Sequence, residues 1–304
     1  MTRDQLGLIY ALIAATGMGI VPIFAKVAYS LGATPMTMLV IRFGLASIIL
    51  WGYLYWQKEI ERVEGKKFFS FALLGILFGI SSLLYFTAIS MIPVSVATLL
   101  IYTAPVFVVI ISILIGDERM TANILLSLVI ASIGLYLILD LSVDTVNLKG
   151  ILFGLGGGFF YSLFVVGGNR FTAGITPLLV TACSLTATFL FHLCVSLVYN
   201  QLSLLQPPLV WGYGVLIALF GSTIGIGFLY KAIQLIGGSK TSIIAIMEPV
   251  VAIVMAAILF HERMTLLQLV GGSLIIGAII VINITQTQDC VEKTSQTATA
   301  KIKA

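Results

Sequence analysis

Ten stretches of about twenty almost wholly apolar residues follow one another along the chain, each long enough to cross a bilayer as a helix. They run over residues 6–30, 35–56, 68–90, 93–115, 121–139, 149–171, 177–199, 211–236, 239–260 and 265–285. Only 9% of the 304 residues are charged and 60% are hydrophobic. A soluble domain carries about 25% charged residues, so this chain cannot cover itself with a polar surface. An outer-membrane barrel would need short segments of alternating polarity, and these runs do not alternate. The expected fold class is therefore an all-α polytopic membrane protein with ten transmembrane helices. The first run is too long for a signal-peptide core and is kept as a span. Polar exceptions are residues 57–67, the linker 140–150 and the stretch from Gln286 to Ala304, rich in Thr, Gln and Lys and expected to be disordered.

Basic residues set the expected orientation, because cytoplasmic loops collect Lys and Arg. With the amino terminus inside, Lys58, Arg62, Lys66, Lys67, Arg119, Arg170 and Lys240 all fall on the cytoplasmic side. Arg3, Lys293, Lys301 and Lys303 join them, while the outside keeps Lys149 and Arg263. Eleven against two places both termini in the cytoplasm.

The chain repeats itself. IPVSVATLLIYTAPVFVVIISILIGDERMT (92–121) aligns without gaps on IGGSKTSIIAIMEPVVAIVMAAILFHERMT (236–265), at an offset of 144 residues. FTAISMI (86–92) matches YKAIQLI (230–236) at the same offset. A four-residue polar match, ERMT, in register with Pro105 and Pro249 points to duplication rather than chance. The expected units are residues 1–143 and 144–286, five helices each, with 287–304 as a cytoplasmic tail. Five is odd, so equivalent positions lie on opposite sides of the membrane: Glu118 inside, Glu262 outside. Inverted-topology repeats are an architecture of secondary transporters, in which two halves exchange roles to open a pathway to either side.

SVATLLIYTAPVFVVIISILIGDERMT and SKTSIIAIMEPVVAIVMAAILFHERMT each join a small-residue helix start, a mid-helix proline and a closing glutamate. In this the chain resembles the EamA-type transporters of the drug/metabolite transporter superfamily, over about residues 6 to 285 as two repeats. The resemblance implies a ten-helix bundle in the inner or plasma membrane with a central cavity between the halves. It also implies transport of amino acids, other metabolites or drugs, commonly outward.

Four ionisable residues fall within the spans: Lys26, Arg42, Lys231 and Glu248. A charged group at mid-bilayer costs roughly 2.5–3.5 kcal/mol, so each is a candidate for a wet cavity. Lys26 and Lys231 lie near span ends, where an ammonium group can snorkel to the interface. Arg42 lies deeper. Glu248 is the deepest and has Ala104 as its repeat equivalent, whereas the neighbouring Pro249 is matched by Pro105. The proline thus belongs to the fold and the carboxylate to one half. Each proline removes a helical donor and is expected to kink its helix around the cavity; Pro249 frees the carbonyl of Ala245. Glu248 is a candidate for a substrate ammonium group or a coupling proton, with Lys231 as its expected cation partner. Tyr85, Tyr102, Tyr161 and Tyr230 are candidates for lining the pathway, against ordinary packing with a satisfied hydroxyl. The glycines at 150, 154 and 156–158 suit close helix approach. Arg170 is expected among lipid headgroups, and the ERMT segments as caps and turns.

Other functions find less support. Cys183, Cys194 and Cys290 give no disulfide framework. His192 and His261 stand far apart in sequence, without a metal-ligand cluster, and no cofactor is called for. A membrane-embedded enzyme would need a nucleophile, base or metal group near one interface. A channel or a non-transporting scaffold is the nearer alternative, though no filter motif is apparent. No P-loop marks an ATP-driven pump. The implied partners are a small-molecule substrate and the lipid bilayer, with a proton as candidate coupling ion and no nucleic acid. The topology is testable by impermeant thiol labelling of whole cells. A cysteine replacing Thr145 should label and one replacing Glu64 should not; the reverse pattern would invert the orientation.

Overall fold

The computed structural model describes residues 2–58, 65–89, 91–92, 94–117, 121–138, 147–172, 174–260 and 265–281. Glu118, Glu262, most of the linker 140–149 and the segment 287–304 lie outside the described residues. All regular structure among the described residues is helical: α1 (Arg3–Gly19), α2 (Val21–Ser30), α3 (Pro35–Gln57), α4 (Gly65–Ile89), α5 (Val94–Ile101), α6 (Ala104–Leu114) and α7 (Ala122–Ile138) in the first half. The second half holds α8 (Leu148–Phe171), α9 (Pro177–Val198), α10 (Pro208–Leu216), a π-helical segment (Ile217–Ile224), α11 (Gly225–Ile236), α12 (Gly238–Ala245) and α13 (Met247–Phe260). α14 (Leu266–Val281) follows. Eight segments are long and apolar enough to span a membrane, and α7 and α14 are shorter apolar helices, so the ten expected spans are present.

Local sequence explains the helix ends. Thr2 caps α1 in a reciprocal box with Gln5, and the Thr34 hydroxyl accepts from the Thr37 amide. Prolines stand in the first turns of α2, α3, α6, α9 and α10, where the missing N–H has no helical acceptor to lose. Gly237 joins α11 to α12 at φ 82°, a conformation that disfavours any side chain.

Four spans expected as single helices are interrupted. The span 6–30 breaks at Ile20, 93–115 at Tyr102–Thr103 and 239–260 at Ile246, and 211–236 widens into the π segment. For two of them the cause lies in the chain itself. α5 ends at Ile101 and α12 at Ala245, each four residues before a proline that cannot donate to it. These are breaks rather than kinks.

The halves interlock. α1 packs on α11, α12, α13 and the π segment, all in the second half, while α8 packs on α4, α5 and α6 of the first. Glycines and hydroxyls set these contacts. A Cβ on Gly75 would collide with the Ser184 carbonyl, and across the same α4–α9 contact Thr188 Oγ1 donates to the Gly75 carbonyl at 2.8 Å. Ser81 Oγ donates to the Gly157 carbonyl at 2.8 Å between α4 and α8. On α7 and α14, a Cβ on Gly134 would meet the Gly271 carbonyl at 2.7 Å. Such small-residue contacts, rather than hydrophobic burial, hold helices together in lipid. Phe43, Phe71, Leu74, Phe164 and Leu229 fill the centre, while Ile48, Leu152, Leu190 and Leu266 face outward.

Gly75→Ala should therefore lower thermal stability in detergent, by about 1–3 kcal/mol for an overpacked contact. Gly52→Ala meets nothing within 4 Å and should match wild type or exceed it. Equal melting of Gly75→Ala and wild type would contradict the α4–α9 packing.

Candidate functional site

The interrupted helices converge. α13 begins at Met247, which places Glu248 in its first turn directly after the break at Ile246. Tyr102 occupies the corresponding break between α5 and α6, and its hydroxyl is a hydrogen-bond partner of the Glu248 carboxylate. Gly19, at the end of α1, approaches the same turn: a Cβ there would stand 2.6 Å from the Glu248 carbonyl. From α3, Arg42 reaches the π segment, where its Nε donates to Ser222 Oγ at 2.7 Å. Gly221 makes room for it, since a Cβ there would lie 3.4 Å from an Arg42 terminal nitrogen and collide with Val21.

Arg42 and Glu248 lie within electrostatic range of each other. Tyr85, Tyr102 and Tyr161 share the field of Glu248, and Tyr29 that of Arg42. Arg42, Tyr85, Tyr102, Tyr161 and Glu248 are surrounded by protein, yet each keeps accessible surface. These side chains are thus enclosed without being sealed off. A carboxylate and a guanidinium enclosed together lower the cost of keeping each charge out of water. The tyrosines add aromatic faces and hydroxyls. The arrangement can hold a solute carrying a cation, an anion or both, against a partly apolar wall.

The other candidates lie elsewhere or serve packing. Lys231 is not the partner of Glu248; its Nζ sits over the rings of Tyr10 (5.4 Å) and Phe228 (5.0 Å), on the side of α11 that packs against α1. The neighbouring Tyr230 points the other way into the core, fully buried, with its hydroxyl 3.1 Å from Ser184 Oγ. Lys26 stands exposed on α2. Tyr85 combines both roles, since its hydroxyl also meets Thr98 Oγ1 at 2.9 Å. Pro105 and Pro249 sit buried at the starts of the resumed helices. Arg170 departs from its headgroup assignment. It forks onto Asp117, with Nε and Nη2 2.9–3.0 Å from the carboxylate, and donates from Nη2 to the Ile115 carbonyl at 3.0 Å. It closes the end of α6 against α8.

Sequence reasoning passed over Ser222 and Tyr29, and weighed His192 only as an isolated histidine. The glycine-rich GSTIGIG (221–227) was the available sign of an irregular helix around Ser222. His192 is fully buried, stacked on Phe43 at 5.6 Å, with Nε2 2.8 Å from Ser82 Oγ and the ring in the field of Arg42. Nothing local in the sequence signals that neighbourhood. A separate apolar groove of about 420 Å³ runs along α1 and the π segment, lined by Ile9, Ile13, Phe220 and Ile224 among others, with no charged group in it.

Comparison with known proteins agrees with this architecture. A crystal structure of 16% sequence identity superposes with a TM-score of 0.77, over 93% of this chain and 98% of that one, and so shares the fold. An uncharacterized transporter of Archaeoglobus fulgidus is 27% identical over 197 residues, covering 65% of this chain and 70% of its own. The uncharacterized transporter YyaM of Bacillus subtilis is 28% identical over 249 residues, covering 79% and 81%. The EamA-like transporter family matches twice, over residues 5–140 and 148–284, one match to each half. With two such domains in a polytopic helical fold, the chain belongs to the EamA-like transporter family of membrane transporters.

Proposed function

We propose that the protein is a secondary transporter that carries small organic solutes across the cytoplasmic membrane by alternating access, outward, with both termini in the cytoplasm. The observation that carries this reading is that Glu248 and Arg42, each enclosed by protein yet accessible, lie within electrostatic range of each other where four spans lose regular helix, and we read their surroundings as one central cavity. Irregular backbone and charge are tolerated at membrane depth where they line a cavity. Glu248 binds the ammonium group of the solute or a coupling proton, Arg42 binds an anionic group or steadies Glu248, and Tyr85, Tyr102 and Tyr161 form the aromatic wall. The solute classes that fit are amino acids, polar metabolites and amphipathic drugs. A transporter in the strict sense exchanges solute without chemical change, so no catalytic residue or cofactor enters the scheme.

Glu248→Gln keeps shape and hydrogen bonding while removing the charge. In cells screened for resistance to toxic amino acids and amines, it should abolish the resistance conferred by wild type at equal membrane abundance. In liposomes with the solute so identified, it should lower counterflow at least about ten-fold, the loss of one charged contact of ~1.5–3 kcal/mol. Ser222→Ala, which frees Arg42, should weaken transport less. Saturable counterflow at the wild-type rate in Glu248→Gln would defeat the assignment, and unsaturable conductance in wild type would replace the carrier by a channel.

A further inference from the structure

A duplicated chain gives each residue an internal control. If both faces of the membrane were equally closed, repeat-related residues would be equally buried. They are not. In the gapless alignment at offset 144, Tyr230 and Ile233 on α11 are 0% and 1% exposed, whereas their counterparts Phe86 and Ile89 on α4 are partly accessible. Ser242, Ile243, Ile244 and Ile246 are buried, while Thr98, Leu99, Leu100 and Tyr102 are accessible. The sense reverses along the next segment: Val108 and Val109 on α6 are buried, and Ala252 and Ile253 on α13 are not. In an inverted repeat that reversal has a simple meaning. In these pairs the buried members lie toward the face that carries Arg3 and Gln234 and the accessible ones toward the opposite face; Val250, buried where Val106 is accessible, is the exception.

Packing follows the same division. α12 packs against both α6 and α8. Its counterpart α5 packs on α8, with no comparable contact to α13, α1 or α2 among the described residues. The closed face also holds polar ties. Gln234 Nε2 donates to the carbonyls of Thr172 (2.9 Å) and Ile175 (3.1 Å) in the α8–α9 turn, and Arg3 Nη2 donates to the Gln234 carbonyl at 3.0 Å. The Tyr230 hydroxyl meets Ser184 Oγ, which itself donates to the Phe71 carbonyl at 3.2 Å, linking α11 to α9 and α4. At the positions equivalent to Tyr230 and Gln234 the first half carries Phe86, which has no hydroxyl, and Ser90, which has no side-chain amide.

From this asymmetry we infer that Gln234 and Tyr230 form a clasp that seals the Arg3 face, leaves the Glu248–Arg42 cavity open to the opposite face, and must break for the pathway to reverse. The inference rests on reading that cavity as the solute site of an alternating-access carrier. By the distribution of basic residues the sealed face is the cytoplasmic one. The side-chain hydrogen bonds of Gln234 and Tyr230 are neutral, so the clasp is strong enough to favour one state and weak enough to open.

Impermeant maleimide labelling tests it without any solute, in proteoliposomes and with Cys183, Cys194 and Cys290 replaced by Ser. Ile89→Cys should label from the open face, while its counterpart Ile233→Cys should be shielded from both. Adding Gln234→Ala should raise labelling of Ile233→Cys about ten-fold, the population shift that two neutral hydrogen bonds can hold back, and should lower that of Ile89→Cys. Tyr230→Phe, which copies Phe86, should act in the same direction to a smaller extent and serves alone if Gln234→Ala does not insert. Equal labelling of Ile89→Cys and Ile233→Cys in otherwise wild-type protein would overturn the inference. So would an Ile233→Cys that stays shielded when the clasp is removed from folded protein. Neither result depends on Glu248, so normal transport by Glu248→Gln would remove the solute site and leave the clasp standing.

Discussion

In hydrocarbon every backbone amide and carbonyl must find its partner within the protein, and that constraint governs where this chain can depart from a regular helix. Among the described residues it departs in four spans, and the departures gather at one place. Gly19 at the end of α1 lies against the Glu248 carbonyl, Tyr102 at the α5–α6 break bonds Glu248, and Arg42 bonds Ser222 within the π segment. The α5–α6 break is also covered by glycine: a Cβ on Gly158 would stand 3.0 Å from the carbonyls of Leu100 and Ile101 and from Thr103 Oγ1. Freed polar groups and charged side chains thus share one interior region, where each reduces the cost of the others.

Duplication supplied the breaks, and divergence supplied the charge. Pro105 and Pro249 interrupt equivalent helices in the same way, so both halves offer a widened turn at the centre. Only the second half places a carboxylate there; the first has Ala104, buried and apolar. Tyr102, on the first half's break, supplies the hydroxyl that meets that carboxylate. The two halves therefore contribute unequally to this interior cluster.

The sequence stated the number of spans, the duplication and the two prolines plainly, because hydropathy and register are local properties read along one chain. It also placed Glu248 and Arg42 deep in the bundle. It did not reveal which cation faces Glu248, because helix rotation is set by neighbours: α11 turns Lys231 toward α1 and Tyr230 toward the core. The break at Ile20 had a visible sign in Pro22, yet the run 6–30 is so uniformly apolar that length alone suggested a single helix. Asp117 and Arg170 are 53 residues apart, and no periodicity joins them.

The interlocking of the halves bears on how such a molecule is made. α1 precedes along the chain the second-half helices on which it packs most extensively, so its partners are made after it. Its Gly7 and Gly17 pack closely against Ile236 and the Phe220 carbonyl, both of which belong to the second half. α8 meets no such delay, for α4, α5 and α6 are already in place when it arrives. The architecture repeats, but the order in which its contacts become available does not: α1 precedes its partners, and α8 follows its own.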